Sequence, residues 1–530
     1  MKAIKIFLLI LFYATTLTAQ IQDNPFAANP DPDATVTYTN PVIPGFYSDP
    51  SICKVKDDYY LITSTFEYFP AVPVFHSKDL VHWKQIGYCI DRPEQMPQGV
   101  NTFAATIRYH NGIFYMITTN AGKGGNYYVT ATDPAGPWSD PIWINVPGID
   151  PDLFFDDDGK TYVISSKFKV YEIDLKTGKL LTQGRKVWFG TGGRHAEGPH
   201  IYKKDGYYYL LAAEGGTEEA HSVTIARSNS ILGPYISNPA NPILTHANTA
   251  GQKLRIQGVG HADIIQSHEG SWWIVFHGYR KAVAYPVHHI LGRETCLAPV
   301  TWPKNGWPVV NGNGTAPEKM TCPTLPLKPL PPQPTRTEFN APQLGLEWNF
   351  IQPPKKDDLF YAISDGKLRI KGTAAEIDKK GTPAFIGRRL QQMNFTATTS
   401  MTFDPQNTNE QAGLSLVNNG THFDLLVKKE GDKRVVFAEL QFGSIKYRSE
   451  KFVLEPGPVS LRISGKGSEF AFSYAQNGNY TQVENVDSRF LSTETVGWFT
   501  GVYVGFYATG RGKECQEYAD FDYFEYIESQ

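Results

Sequence analysis

Five short segments of the chain resemble one another: "DDYYLI" at 57–62, "NGIFYMI" at 111–117, "DGKTYVI" at 158–164, "DGYYYLL" at 205–211 and "EGSWWIV" at 269–275. Four begin with an x-Gly turn pair and run into an aromatic-rich strand; the first has Asp58 in place of the glycine. Aligned on their last aromatic they fall at Tyr60, Tyr115, Tyr162, Tyr209 and Trp273, at intervals of 55, 47, 47 and 64 residues. A period of that size holds about four strands, the content of one propeller blade. "HSKDLVHW", "TATDPAGPW", "YEIDLKTGK" and "ARSNSILGPY" follow the hairpins at similar offsets, each a strand end entering a polar turn. Helical patterning is scarce and turn signals recur throughout. The expected fold is therefore all-β, with a five-bladed β-propeller over residues 40–320.

Eleven or twelve residues before each aligned aromatic stand Asp49, Ala104, Asp150, Glu197 and His261, in the contexts "DPSI", "AATI", "DPDL", "EGPHI" and "HADI". Each is placed ahead of the first strand of a hairpin. The first strand of a blade lines the central channel, so equivalent positions converge near the axis. A single Asp before Pro is explained by turn formation. Three acids and a histidine at one blade position are not. Crowded like charges raise the pKa of at least one carboxyl, which separates a proton donor from a proton acceptor. Glycosidic bond cleavage needs such a pair, and an inverting enzyme spaces its acid and base to leave room for a water.

The net charge is -3, with 41% hydrophobic and 13% aromatic residues, which suits a soluble globular protein and gives no basic block for nucleic acid or a membrane surface. The first twenty residues, "MKAIKIFLLILFYATTLTAQ", have a basic start at Lys2 and Lys5, a short apolar run and small residues up to Ala19. The pattern is that of a signal peptide over residues 1–19, and the apolar run is too short for a membrane span. No Cys follows Ala19, which argues against a lipoprotein; an exported, periplasmic or secreted protein is expected. The five cysteines, Cys53, Cys89, Cys296, Cys322 and Cys515, are odd in number and lack metal-binding spacing, so one disulfide at most fits easily. "FDDDG" at 155–159 lacks the alternating spacing of a calcium loop and reads as an exposed turn. No cofactor is required by these features, and a structural calcium is left open.

"NPVIPGFYSDPSICKVKDDYYLITSTFEYFP", "GIDPDLFFDDDG", "AEGPHIYKKDGYYYLLAAEGGT", "GHADIIQSHEGSWW" and "LGRETCLAPVTW" resemble family 43 glycoside hydrolases, in the β-xylosidase/α-L-arabinofuranosidase branch, over nearly the whole chain after the leader. The resemblance implies an inverting mechanism with Asp49 as general base, Glu197 as general acid and Asp150 as modulator of the acid. It also implies Arg293 in "LGRET" as a contact to sugar hydroxyls, Phe66 as an aromatic wall of the terminal-sugar subsite, and His261 as a channel histidine that supports the site or lies near a cation. Where the family often carries Trp-Ala-Pro, this chain has Phe103-Ala104-Ala105, which leaves the stacking contact at Phe103 and the substrate preference open.

"PTLPLKPLPPQPTRTEF" is dense in proline and marks a semi-rigid linker over 323–338. From 339 to 530 short alternating strands continue without the blade repeat, which reads as a β-sandwich. It resembles the concanavalin-like C-terminal domain of the same branch. By that resemblance it rests against the propeller and lends an aromatic to the rim, with Phe499, Tyr503 and Phe506 as candidates. A free carbohydrate-binding module is the competing view. The functional expectation is an exo-acting β-1,4-xylosidase that releases xylose and/or arabinose from xylan- or arabinan-derived oligosaccharides. The alternatives are an α-L-arabinofuranosidase that trims side chains and a non-catalytic sugar-binding propeller, which need not keep three acids at matched positions.

Overall fold

The computed structural model describes residues 36–529 except 283–285, 323–324, 356–358 and 380. The expected signal peptide at 1–19 lies outside the described residues. Five antiparallel sheets follow one another along the chain, each with its innermost strand first: Ser51–Val55, Thr106–His110, Asp152–Phe155, Glu197–Lys204 and Ile256–Gln266. The repeated segments supply the second strand of every blade, beginning with Asp58–Ile62 paired to Ser51–Val55. Aromatics suit this position because a strand packed between neighbouring sheets buries both faces. Tyr209 and Trp273, for example, are fully buried.

The ring closes without a shared blade. Val36–Thr39 pairs with Lys319–Cys322 as a separate ribbon, so the ordered unit extends slightly beyond 40–320 on both sides. The Asn40 side chain then donates to Leu297 O and accepts from Leu297 N, at 2.9 and 2.8 Å, tying the entering chain to the last blade.

Beneath the ring of predicted acids, all five inner strands meet around one cation. Arg108 Nη1 lies 2.8 Å from Asp263 Oδ2 and Nη2 lies 3.0 Å from Asp152 Oδ2. His200 Nδ1 is 3.0 Å from Nη2, and Ser51 Oγ donates to Asp263 at 2.7 Å. A buried charge pair contributes little net stability, but removing one partner strands the others. Arg108→Met is therefore expected to lower stability by about 3–5 kcal/mol, read as a lower urea midpoint; an unchanged midpoint would contradict this role.

The second domain is a sandwich of two nine-stranded sheets among the described residues. Trp348, Phe506, Phe521 and Phe524 pack between the sheets. Two details correct the expected boundaries. Arg336–Glu338 pairs with Tyr523–Glu528, so the sandwich begins inside the proline-rich segment. Tyr68–Phe69, which interrupts the first blade, adds an edge strand to a sandwich sheet by pairing with Phe350 and Ile351. The linker is also held to the propeller: Leu325 is buried in its core and Lys328 N donates to Asp79. The domains approach closely enough that a Cβ on Gly501 would lie 2.3 Å from Leu291 O. A free module on a tether is not what this chain builds.

Cys53, Cys89, Cys296 and Cys515 are buried free thiols. In the "FDDDG" turn, Asp156 is buried rather than exposed. It pairs with Lys203 Nζ at 2.7 Å and accepts from Tyr208 OH at 2.7 Å, so a lysine supplies its counter-charge. Among the described residues no group of three or more His, Cys, Asp or Glu is arranged to hold a metal ion.

Candidate active site

The backbone gives the predicted positions their inward aim. Asp49, Asp150 and His261 all have left-handed φ, at 55°, 53° and 45°. Non-glycine residues seldom adopt that conformation, and it persists where the surroundings enforce it. At Asp49 and Asp150 the kink swings the side chain toward the axis just as the chain enters its inner strand. Glu197 reaches the same place differently. It is the first residue of its strand, and the kink falls on Gly198 at φ 55°, where an added Cβ would lie 2.9 Å from His261 Nε2. His261 lies inside its strand at a break in register rather than ahead of it.

Asp49, Asp150, Glu197, His261, Arg293, Phe66 and Phe103 all line one cavity of about 250 Å³. Ala104, the non-ionisable member of the ring, lines it too. The residues singled out in the sequence therefore share one cavity. Sequence reasoning missed His195, Thr217 and Glu218, which complete the wall, and it left the sandwich aromatic unchosen. That residue is Phe499. Tyr503 is buried and stacks on Tyr68 at 3.8 Å, and Phe506 belongs to the sandwich core. Phe66 and Phe499 stack with centroids 5.5 Å apart, and Phe103 meets Phe66 at 5.1 Å. Phe103 thus occupies the aromatic wall despite the altered tripeptide.

Asp49 is the most heavily held carboxylate in the cavity. Arg293 Nη1 donates to Oδ1 at 2.9 Å and Nη2 to Oδ2 at 3.3 Å. Ser48 Oγ donates to Oδ2 at 2.9 Å, and Ser64 Oγ donates to the same atom. His277 Nδ1 stands 3.0 Å from Oδ1, and His261 Nδ1 stands 3.6 Å from it. Burial alone would raise this carboxyl, but the Arg293 charge, with the His277 contact, outweighs it and holds Asp49 well below its ordinary range. Asp49 is therefore a carboxylate near neutral pH.

His277 is a supporting residue with no sequence signal. It sits in the second strand of the last blade and is fully buried. His277 Nδ1 also accepts from the Asp49 backbone N–H at 3.2 Å, and Nε2 lies 3.1 Å from His221 Nδ1. Burial lowers His277 to about 4 and His261 to about 3, so both are neutral imidazoles rather than cations.

The other two acids shift the opposite way. Burial, followed by the charge of Asp49, pushes Glu197 up to about 7, while Arg293 opposes the rise. Burial and the neighbouring Glu197 and Asp49 charges raise Asp150 well above its usual value. Among the described residues only the Gly198 N–H, at 3.2 Å, donates to the Asp150 carboxyl. Asp150 and Glu197 titrate as a pair, with a proton retained between them near neutrality. One cavity therefore holds a carboxylate kept ionised beside Arg293 and two carboxyls, Asp150 and Glu197, that burial and neighbouring negative charge raise above their usual values.

Residues 38–308 match the family model "Glycosyl hydrolases family 43", and residues 336–527 match "Beta xylosidase C-terminal Concanavalin A-like domain". The chain belongs to glycosyl hydrolases family 43. It is 42% identical to a non-reducing end α-L-arabinofuranosidase of Bacteroides ovatus, over 92% of this chain and 94% of that protein. It is 38% identical to a xylosidase/arabinosidase of Butyrivibrio fibrisolvens, over 92% and 99% of the two chains. The Bacteroides ovatus Xyloglucan PUL GH43B structure superposes with a TM-score of 0.89 at 41% identity, covering 93% of this chain and all of that one. This family 43 member is a glycoside hydrolase of β-propeller and β-sandwich domains, and the sugar-binding propeller without catalysis is set aside.

Proposed function

We propose that this glycoside hydrolase is exo-acting and inverting, with Asp49 as general base, Glu197 as general acid and Asp150 as modulator of Glu197. The observation that carries the reading is the opposite displacement of two carboxyl groups on one small cavity: Asp49 well below its usual range and Glu197 up to about 7. An acid and a base separated in this way can protonate the leaving oxygen and accept a proton from water in one step. The Arg108 network lies across the axis below, and Phe499 closes the wall from the sandwich side. Such a site favours a chain end over a continuous polysaccharide.

The proposed substrates are xylan- or arabinan-derived oligosaccharides that end in xylose or arabinose. A β-1,4-xylosidase is the first reading. An α-L-arabinofuranosidase is the second, favoured by the relative of that name at 42% identity. The N-terminal pattern around Lys2 and Lys5 supports work outside the cytoplasm. Side-by-side rates on nitrophenyl xylopyranoside and nitrophenyl arabinofuranoside decide between the two sugars. Proton NMR of fresh hydrolysate, read before mutarotation, should show the inverted anomer first. Initial release of the retained anomer would overturn the assignment of Asp49 as a base that acts on water.

A further inference from the structure

The two aromatic walls that stack on each other come from different domains, and each has a polar neighbour in sequence. Phe66 of the first blade is followed by Glu67, and Phe499 of the sandwich is preceded by Trp498. Trp498 Nε1 donates to Glu67 Oε2 at 3.0 Å, across the domain junction. The same pair packs on the wall itself: the Trp498 ring meets Phe66 edge-on at 6.1 Å and Phe499 at 5.1 Å. On the propeller side the support is rigid. Phe66 N donates to Thr102 O at 2.9 Å, Thr102 N returns to Phe66 O at 3.0 Å, and Glu67 O accepts from Gln352 N of the sandwich at 3.0 Å. On the sandwich side, Trp498 and Phe499 follow Gly497, a left-handed residue at φ 68° that ends a one-turn helix, so the backbone there gives them no strand partner. The chain is next fixed to the propeller at Val502, whose N–H donates to Ile290 O at 2.8 Å.

The wall matters beyond its own surface. The Arg293 guanidinium lies 5.7 Å from the Phe66 ring centre and 5.6 Å from that of Phe499, and the same guanidinium holds Asp49. A displaced Phe499 would loosen one flank of that arginine and widen the cavity where a terminal sugar sits.

We propose that Glu67 and Trp498 are positioning residues, an interdomain latch that sets the gap between Phe66 and Phe499 and with it the fit of the terminal sugar. The proposal rests on the reading of this cavity as the glycosidase site. Burial pushes the Glu67 carboxyl up to about 7, against the Trp498 hydrogen bond and the Lys123 charge, so a neutral amide is a close mimic of it. Glu67→Gln keeps an acceptor oxygen for the indole. Glu67→Ala removes the acceptor, and Trp498→Phe removes the donor but keeps a ring in contact with Phe66.

The test is steady-state kinetics of the full chain on whichever nitrophenyl pentoside the wild type hydrolyses, with hydrogen exchange of the 497–503 backbone measured in parallel. Glu67→Ala and Trp498→Phe should each raise KM about tenfold, the scale of losing one hydrogen bond to an ionisable group, with kcat within about threefold. Glu67→Gln should stay close to wild type, and the Glu67→Ala/Trp498→Phe double variant should be no worse than the worse single one. Exchange in 497–503 should quicken in Glu67→Ala and not in Glu67→Gln. An unchanged KM in both single variants, or effects that simply multiply in the double variant, would overturn the latch. If the wild type cleaves neither pentoside, the functional reading fails, and unchanged exchange in Glu67→Ala would then refute the latch independently.

Discussion

Asp49→Asn is expected to leave the protein folded and to lower kcat at least ~10²-fold, because a positioned general base typically supplies ~10²–10⁴ in rate. The amide is isosteric. Its oxygen can still accept from Arg293, and its NH2 can face the Ser48 and Ser64 hydroxyls, which can rotate to accept. What it cannot do is take a proton from water. The number of donors around Asp49 makes it a weak base, which at first sight argues against the role. The timing of proton transfer answers this. With an oxocarbenium-like transition state, water gives up its proton as it bonds to the anomeric carbon, when its oxygen has become cationic and strongly acidic. A carboxylate held well below its usual pKa is basic enough for that step. Arg293 and His277 then serve to keep Asp49 ionised beside two other acids. Near wild-type turnover of Asp49→Asn on both nitrophenyl pentosides would remove Asp49 from the reaction.

The propeller was legible because its signal repeats. Five turn-plus-aromatic segments fixed the second strand of each blade, and counting back from them reached the residues whose left-handed backbone points them at the axis. The three acids stood out because blade equivalence turns a difference of about 150 residues, between Asp49 and Glu197, into adjacency. His277 had no such signal. It lies in the middle of a strand that reads as ordinary core, and its bond to Asp49 spans 228 residues. His195 and Glu218 lie in loops between strands, where the repeat is weakest. The choice of Phe499 over Tyr503 and Phe506 was equally hidden. All three lie on one short stretch, and only the docking of the sandwich decides which one faces the cavity. Tyr68–Phe69 illustrates the same limit: two residues inside a blade follow the hydrogen bonds of the other domain's sheet.

Glu197→Gln should separate substrates by their leaving groups. The wild-type acid, raised to about 7, is protonated below neutrality and loses its proton as pH rises through that value. Protonation of the departing oxygen is what a sugar leaving group needs, since an alkoxide is a poor leaving group, whereas a dinitrophenolate departs unaided. The variant is therefore expected to lose ~10²–10⁴ in kcat on a xylo-oligosaccharide and far less on a dinitrophenyl xyloside. Its residual activity on the oligosaccharide should also lack the alkaline limb that the wild type shows on that substrate near pH 7, because no acid remains to titrate. On the acid side the wild-type profile should stay level well below neutrality. Asp49 is needed as the carboxylate and is held below its usual range, so activity is lost there only as pH falls toward that lowered value or as the fold gives way. Kinetics of both substrates across pH 4–9, on wild type and variant, measure all of this at once. Equal losses on the two substrates, or an alkaline limb near pH 7 that survives Glu197→Gln on the oligosaccharide, would assign the proton donor elsewhere, with Asp150 next in line as the other buried carboxyl raised in the same cavity.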